Sequence, residues 1–257
     1  MTERTLKLTV EYDGTDFVGW QRQATGTSVQ GLLEDALRSL DDRDVTVHGA
    51  GRTDAGVHAL GQVASFSLER SMAADVVQRS LNAKLPSAVR VLSAEDAPGD
   101  FHARFHARGK TYRYRIWNAD VFDPFERRHA WHIYGALDVA AMQAAAALVE
   151  GTHDFAAFQG QKSDVKSTIR TITSSRIAVR AAECPAPRTS HPALIVYEVS
   201  GDGFLRHMVR AIAGTLVEIG RGRQPVAWMR DVMASRDRAA AGQTAPAEGL
   251  FLVAVRY

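Results

Sequence analysis

The sequence predicts an α+β protein built from two ferredoxin-like (RRM-like) halves with largely antiparallel sheets. Up to residue 94, segments with strand or helix periodicity follow one another in the order β-α-β-β-α-β, which is the order of a ferredoxin-like half. From residue 111 to residue 256, strands and helices follow in a similar layout with different residues. We therefore divide the chain into residues 1–105 and 106–257, and we expect the two halves to meet at a central cleft.

The elements of the first half follow from apolar periodicity and from helix start and stop signals. Alternating apolar residues from Leu6 to Tyr12 indicate a strand, and a Thr27-x-x-Gln30 capping box opens a helix. Asp41, Asp42 and Asp44 follow that helix and indicate a solvated turn. The rest of this half is predicted as strands near 45–48 and 62–68, a helix over 73–84 stopped by Pro86, and a strand over 88–94.

The second half contains two helices of different character. An Ala-rich helix is predicted over 138–150 and ends at Gly151, whereas the helix over 204–219 carries an apolar stripe with Arg206 and Arg210 one turn apart beside it. The other elements are strands near 111–117, 129–133, 167–179, 194–200 and 250–256, and a short helix that begins at Pro225.

Composition excludes several classes of protein. The single cysteine, Cys184, cannot form an internal disulfide or anchor a thiolate metal site, and the prolines around it suggest a surface loop. The N-terminus has no apolar stretch typical of a signal peptide, and no later run is long enough for a membrane span. We therefore expect a cytoplasmic protein without a membrane partner.

Positive charge is concentrated in one window although the net charge is only +2. Residues 101–119 contain no acid and interleave five cations with aromatic side chains, a pattern that suits a surface that holds phosphates and stacks on bases. A solvated strand face with core aromatics explains this window equally well. The cations are Arg104, Arg108, Lys110, Arg113 and Arg115.

The run from Gly51 to Ala59 combines features of a reactive site. It places Asp54 between two glycines, and Arg52 two residues earlier supplies a cation that can hold a carboxylate or a phosphate. A short Asp-x-Gly string alone is more typical of a structural turn. The whole run, however, resembles the active-site signature of the tRNA pseudouridine synthase A family, in which its aspartate is catalytic.

Four further segments are similar to motifs of the same family and occur in the family's order. Position 206 departs from the family pattern, because it is an arginine where an aromatic residue or a histidine is expected. The segments are the N-terminal motif Tyr12–Gln21, the tyrosine motif Lys110–Tyr114, the arginine motif Gly203–Arg210 and the closing segment Thr244–Leu250.

The resemblance implies a role for each matching residue. Asp54 is expected to be catalytic, and Tyr112, Arg52 and Arg210 are expected to bind the substrate, with Arg210 delivered to the catalytic carboxylate. The expected RNA-binding residues are Arg104, Arg108, Lys110, Arg113 and Arg206.

The resemblance also implies the reaction. The family isomerises uridine to pseudouridine at positions 38, 39 and 40 of the anticodon stem-loop of tRNA, with base flipping and formation of a C-glycosidic bond, and it is dimeric. Nothing is added or lost, so no cofactor is expected. The carboxylate either attacks C1′ or removes a proton from C2′ to give a glycal, and the sequence does not distinguish these routes.

Two other functions and a metal site are less consistent with the sequence. A non-catalytic RNA-binding module would have no use for a carboxylate beside phosphates, and an aspartate-dependent glycosidase would need a second positioned carboxylate, which the Asp54 motif lacks. His102 and His106 have the four-residue spacing of a metal pair on a helix, but arginines surround them and no thiolate or acid pair is near. No metal is expected.

Overall fold

A computed structural model describes residues 4–161, 165–180 and 194–257. The chain forms two compact units, of which the first contains residues up to Arg108 together with Phe251–Tyr257 and the second contains Gly109–Leu250. Helices are combined with mostly antiparallel strand pairings, so the predicted α+β class is confirmed. Cys184 and the surface loop predicted around it lie outside the described residues. Among the described helices, none has the length and apolar character needed to cross a membrane.

The first unit follows the predicted order of elements. In its sheet the first strand lies between the third and the fourth, and all of these pairings are antiparallel. The two-residue second strand pairs with the third. The elements are β1 (Arg4–Tyr12), α1 (Val29–Asp41), β2 (His48–Gly49), β3 (His58–Leu68), α2 (Ala74–Lys84) and β4 (Val89–Asp96).

The start of α1 differs from the prediction by one residue. Ser28, not Thr27, is the N-cap, because its extended backbone lets its Oγ accept a hydrogen bond from the N–H of Gly31 at 3.2 Å. The side chain of Gln30 donates instead to the carbonyl of Val47 at 3.0 Å. The backbone around Val47 is thus bonded to side chains of α1, which is why the predicted strand over 45–48 shrinks to His48–Gly49.

Asp41 does not lie in a solvated turn, as the sequence suggested. Its side chain is only 1% exposed. Its carboxylate accepts hydrogen bonds from the backbone N–H of Arg70 at 2.8 Å and of Glu69 at 3.2 Å, and from Arg43 Nε at 2.7 Å. Burial alone would raise the pKa of Asp41, but these hydrogen bonds and the Arg43 charge outweigh it and lower the pKa below its ordinary value.

We expect Asp41→Asn to destabilise the protein by about 2 kcal/mol at neutral pH, because hydrogen bonds to a charged acceptor contribute about 1.5–3 kcal/mol. The folded-state pKa of Asp41 is lowered, so its stabilisation is present above the unfolded pKa and is lost as pH falls. Urea unfolding of both proteins at pH 7 and near pH 3.5 measures this difference. A difference in unfolding free energy that does not shrink at the lower pH would contradict the ionic contribution.

The strands of the second unit pair in the order β5-β9-β8-β7, all antiparallel, and β6 pairs in parallel with β5. The short strand β7 was not predicted, because its first residue, Gly151, was interpreted only as a helix end. The elements are β5 (Gly109–Asn118), β6 (Trp131–Ile133), α3 (Val139–Ala147), β7 (Gly151–Asp154), β8 (Ile169–Arg180), β9 (Leu194–Gly201), α4 (Met208–Gly220) and α5 (Trp228–Ser235).

Helix α4 begins later than the sequence predicted. His207 has a left-handed backbone with φ of 60°, which interrupts any helix that would start at residue 204. Arg206 therefore precedes the helix, and the prediction that Arg206 and Arg210 lie one turn apart on it is wrong. The apolar stripe is confirmed, since Met208, Ile212 and Leu216 are all fully buried.

The chain ends in strand β10 (Leu250–Arg256), as predicted. It pairs in parallel with β3, with Phe251 opposite His58 and Leu252 opposite Ala59. In the first unit the last residue also contributes, because the Tyr257 hydroxyl donates to the carbonyl of Ala103 at 2.7 Å.

Candidate active site

The loop that carries Asp54 connects β2 to β3 and is fastened at both ends. The N–H of Ala50 donates to the carbonyl of Val63 at 2.7 Å, and the side chain of Gln62 donates to the carbonyl of Gly51 at 2.8 Å. On the other side, the N–H of Val57 donates to the carbonyl of Asp54 at 3.1 Å. Asp54 thus opens a tight turn, and it is half-buried.

Thr53, directly before Asp54, is held by the N-terminal motif. Its carbonyl accepts the N–H of Trp20 at 3.1 Å, and its hydroxyl lies 2.8 Å from the hydroxyl of Tyr12. Tyr12 is buried, and desolvation raises the pKa of its hydroxyl to about 12, so the phenol remains protonated at physiological pH. Two contacts from one motif therefore fix the backbone next to Asp54.

Two glycines of the N-terminal motif permit this approach. At Gly19, whose φ is +108°, a Cβ atom would lie 2.5 Å from the carbonyl oxygen of Thr53. At Gly14, a Cβ atom would lie 2.0 Å from the carbonyl oxygen of Val57. Backbone meets backbone in both places, so a side chain at either position would displace the Asp54 loop.

His58 ties the same motif to the end of the loop. It is 1% exposed, its Nδ1 accepts the N–H of Gly14 at 3.0 Å, and that nitrogen lies 3.1 Å from an oxygen of Asp13. The His58 ring stacks on Phe251 at 4.6 Å between centroids. The signature loop, the N-terminal motif and the C-terminal strand are thus joined within the first unit.

Arg52 lies on this loop and is exposed. Its Nε donates to the side-chain oxygen of Gln21 at 2.8 Å, and Gln21 is the last residue of the N-terminal motif. The structure therefore places both Asp54 and Arg52 next to the motif that the sequence predicted to accompany them.

Tyr112 lies on β5 in the second unit, opposite Val199 of β9. It is 8% exposed, and its ring meets Phe204 edge to face at 5.0 Å. Its neighbour on the same strand face, Tyr114, is fully buried and donates to the carbonyl of Pro246 at 2.8 Å. Tyr112 thus contacts the arginine motif, whereas Tyr114 contacts the closing segment.

Arg210 lies in the first turn of α4 and is half-buried. Its Nε donates to the carbonyl of Ala245 at 2.7 Å, and the N–H of Ala245 donates back to the carbonyl of Arg210 at 3.1 Å. The pKa of Tyr114 is raised well above its ordinary value by burial and by Glu248, and Arg210 lowers it in part. The arginine motif and the closing segment therefore form one cluster.

The predicted RNA-binding residues differ in their surroundings. Arg104 and Arg108 are exposed, and Lys110 is half-buried. Arg113 forms an ion pair with Glu198 at 2.9 Å, and Arg206, also exposed, donates to the carbonyl of Gln161 at 3.2 Å.

Some residues of these clusters were not singled out from the sequence. Thr53 and Glu248 lie within motifs that were recognised, but no spacing distinguishes them from their neighbours. Gln62 and Phe204 act through tertiary contacts, with Gly51 and Tyr112 respectively. Periodicity carries no signal for such contacts.

Comparison with known proteins gives one consistent result. A family model described as tRNA pseudouridine synthase matches residues 8–106 and 145–257. The tRNA pseudouridine synthase A of Pelobacter propionicus is 46% identical over 257 residues, which covers 99% of this chain and 100% of that protein. The proteins of the same name from Myxococcus xanthus (45% over 252 residues, 98% of this chain and 91% of that protein) and Afipia carboxidovorans (46% over 252 residues, 98% of each) are similarly close. The chain therefore belongs to the tRNA pseudouridine synthase A family of isomerases.

Proposed function

We propose that this protein converts uridine to pseudouridine at positions 38, 39 and 40 of the anticodon stem-loop of tRNA, with Asp54 as the catalytic residue. The observation that carries the proposal is the single carboxylate in the family signature, on a loop whose preceding residue is held by Tyr12 and Trp20. These contacts keep the reacting carboxylate in place, and a catalytic group held in position accelerates a reaction more than the same group on a mobile loop.

The chemistry requires one bond to break and another to form at the same carbon. The N1–C1′ bond breaks, the uracil turns, C5 bonds to C1′, and the proton lost from C5 is balanced by a proton gained at N1. Ionised Asp54 acts either by attack at C1′ or by removal of a proton from C2′, and both routes remain open. Tyr112 stacks on the target uracil or assists the loss of the C5 proton.

The two arginines have different parts in this proposal. Arg210 pairs with Asp54 during the reaction, and its guanidinium is oriented by the hydrogen bond from Nε to Ala245. Arg52, exposed and bonded to Gln21, holds a phosphate or the substrate beside Asp54. The proposal assigns the catalytic loop to a ferredoxin-like half over 1–105 and the tyrosine and arginine motifs to a second half over 106–257, with the active-site cleft between them.

The tRNA is bound through phosphates by cations of the basic window over residues 101–119. Arg104, Arg108 and Lys110 contribute, together with Arg206, whereas a phosphate at Arg113 competes with its ion pair to Glu198. Flipping the uridine out of its stack costs a few kcal/mol, roughly, which phosphate contacts offset. The enzyme acts in the cytoplasm as a homodimer, and the reaction as written consumes no cofactor.

We expect the purified protein to form pseudouridine in unmodified tRNA transcripts that carry uridine at position 38, 39 or 40. Carbodiimide labelling followed by primer extension locates each pseudouridine. Matched transcripts with cytidine at those three positions serve as controls and should show no new stop. Modification elsewhere in the tRNA, with none in the anticodon arm, would contradict the proposed site specificity.

A further inference from the structure

The turn over residues 102–106 is closed by its two histidines. The N–H of His102 donates to Nδ1 of His106 at 3.0 Å, and the N–H of His106 donates to the carbonyl of His102 at 3.1 Å. Nδ1 of His102 accepts the N–H of Arg104 at 3.1 Å. The four-residue spacing of these histidines therefore serves to close a turn, a role that the sequence did not suggest.

The same turn is fastened to the sheet of the first unit through Ala103. This residue is fully buried, its N–H donates to Oγ of Ser65 at 3.0 Å, and its carbonyl accepts the hydroxyl of Tyr257 at 2.7 Å. Side chains on this turn are consequently presented from a fixed backbone, which lowers the entropy lost when they bind a partner.

The rings of His102 and Phe105 on the turn form an aromatic ladder with the ring of His48 on β2. The rings of His48 and His102 lie 4.6 Å apart, and those of His102 and Phe105 lie 4.2 Å apart. Phe105 at the other end is 74% exposed, with the Arg104 guanidinium 5.9 Å from its centroid. A large apolar ring at this exposure, beside a cation, contributes little to the core and suits a partner with a flat face and negative charge.

The His48 end of the ladder, which is exposed, borders a polar cavity of about 350 Å³. His48 and His102 line it together with Arg43, Asp44 and Asp100, so the cavity offers both donors and acceptors. A nucleobase has two apolar faces and a hydrogen-bonding edge, so an aromatic ladder beside polar side chains matches its chemistry.

We propose that Phe105 is a stacking platform for an unpaired base of the tRNA, and that Arg104 and Arg108 hold the adjoining phosphates. This inference rests on the proposed function and adds a specific base contact to it. An RNA partner is favoured over a protein because residues 101–119 contain no acid, and exposed cations on both sides of Phe105 in the sequence suit phosphates better than an apolar interface.

The test is equilibrium binding of an unmodified tRNA transcript to the full-length protein over a range of salt concentrations. Phe105→Ala is expected to weaken binding about tenfold, since a stacked base contributes roughly 1–3 kcal/mol by alanine substitution, where 1.4 kcal/mol is a factor of about ten. Phe105→Trp should retain affinity, whereas Phe105→Leu, which keeps apolar area without a ring, should lose it. The slope of log affinity against log salt concentration should stay unchanged in all three variants. Arg108→Ala should make this slope shallower by about 0.7–0.9, the value for one lost phosphate contact.

Phe125→Ala is the matched control, because Phe125 is 83% exposed and lies outside the basic window. Wild-type tRNA affinity in Phe105→Ala or in Phe105→Leu would overturn the proposal. If Phe105→Ala also turned the dimer into a monomer while its tRNA affinity was unchanged, Phe105 would instead contact a protein partner. Phe105-dependent binding without pseudouridine formation would support this platform while contradicting the proposed function. Pseudouridine formation together with tRNA binding that is independent of Phe105 would support the proposed function and contradict the stacking platform.

Discussion

Asp54→Ala and Asp54→Asn are both expected to abolish pseudouridine formation while the fold and most of the tRNA affinity persist. Neither residue can attack C1′ or remove a proton from C2′, so both routes lose their reactive group. Because the backbone around position 54 is held through Thr53, Gly51 and Val57, the loop should keep its shape. Removal of a negative charge from a surface that admits RNA should leave affinity equal or higher.

Single-turnover formation of pseudouridine with saturating tRNA measures this effect, and a filter-binding assay measures affinity separately. Asp75→Asn is a charge-matched control, because Asp75 is exposed on α2, where it pairs with Arg79. The control should react at the wild-type rate. Near-normal turnover by purified Asp54→Ala would show that another group carries the reaction.

The parts of the fold that the sequence predicted well are those determined by side-chain periodicity. The alternation from Leu6 to Tyr12 and the helix that ends before Pro86 are both observed, because burial of one face fixes such elements. Periodicity did not predict element bounds that depend on the bonding or conformation of single backbone groups. Val47 bonds to α1, and His207 takes a left-handed conformation, and neither is visible as a pattern of apolar residues.

The same distinction applies to the site. Asp54, Arg52, Tyr112 and Arg210 were predicted as site residues because they belong to recognisable motifs, and their roles stay predictions. The contacts that hold Thr53 join positions 12, 20 and 53, which only the folded chain brings together. Asp41 shows the same effect outside the site, since its buried hydrogen bonds come from residues 69 and 70.

Arg210→Ala is expected to lower the single-turnover rate about 100-fold with smaller loss of tRNA affinity. In the proposed pairing, removing the cation strands the Asp54 carboxylate, and breaking a buried ion pair costs about 3–5 kcal/mol. Asp54 and Arg210 are each half-buried, so we take the lower end of that range and discount it slightly for solvent; about 2.7 kcal/mol corresponds to 100-fold in rate. Arg210→Lys should recover only part of the rate, because a point charge cannot reproduce the two-pronged guanidinium contact.

Chemical rescue separates a role at the reacting carboxylate from a role in packing. Guanidinium ion added to Arg210→Ala should restore part of the rate, whereas it should not restore Asp54→Ala. Arg230→Ala removes an equal charge from an exposed position on α5 and should react like wild type. If Arg210→Ala reacts at the wild-type rate, or if its loss follows only from reduced stability and guanidinium has no effect, then Arg210 serves to join α4 to Ala245 and takes no part in the reaction.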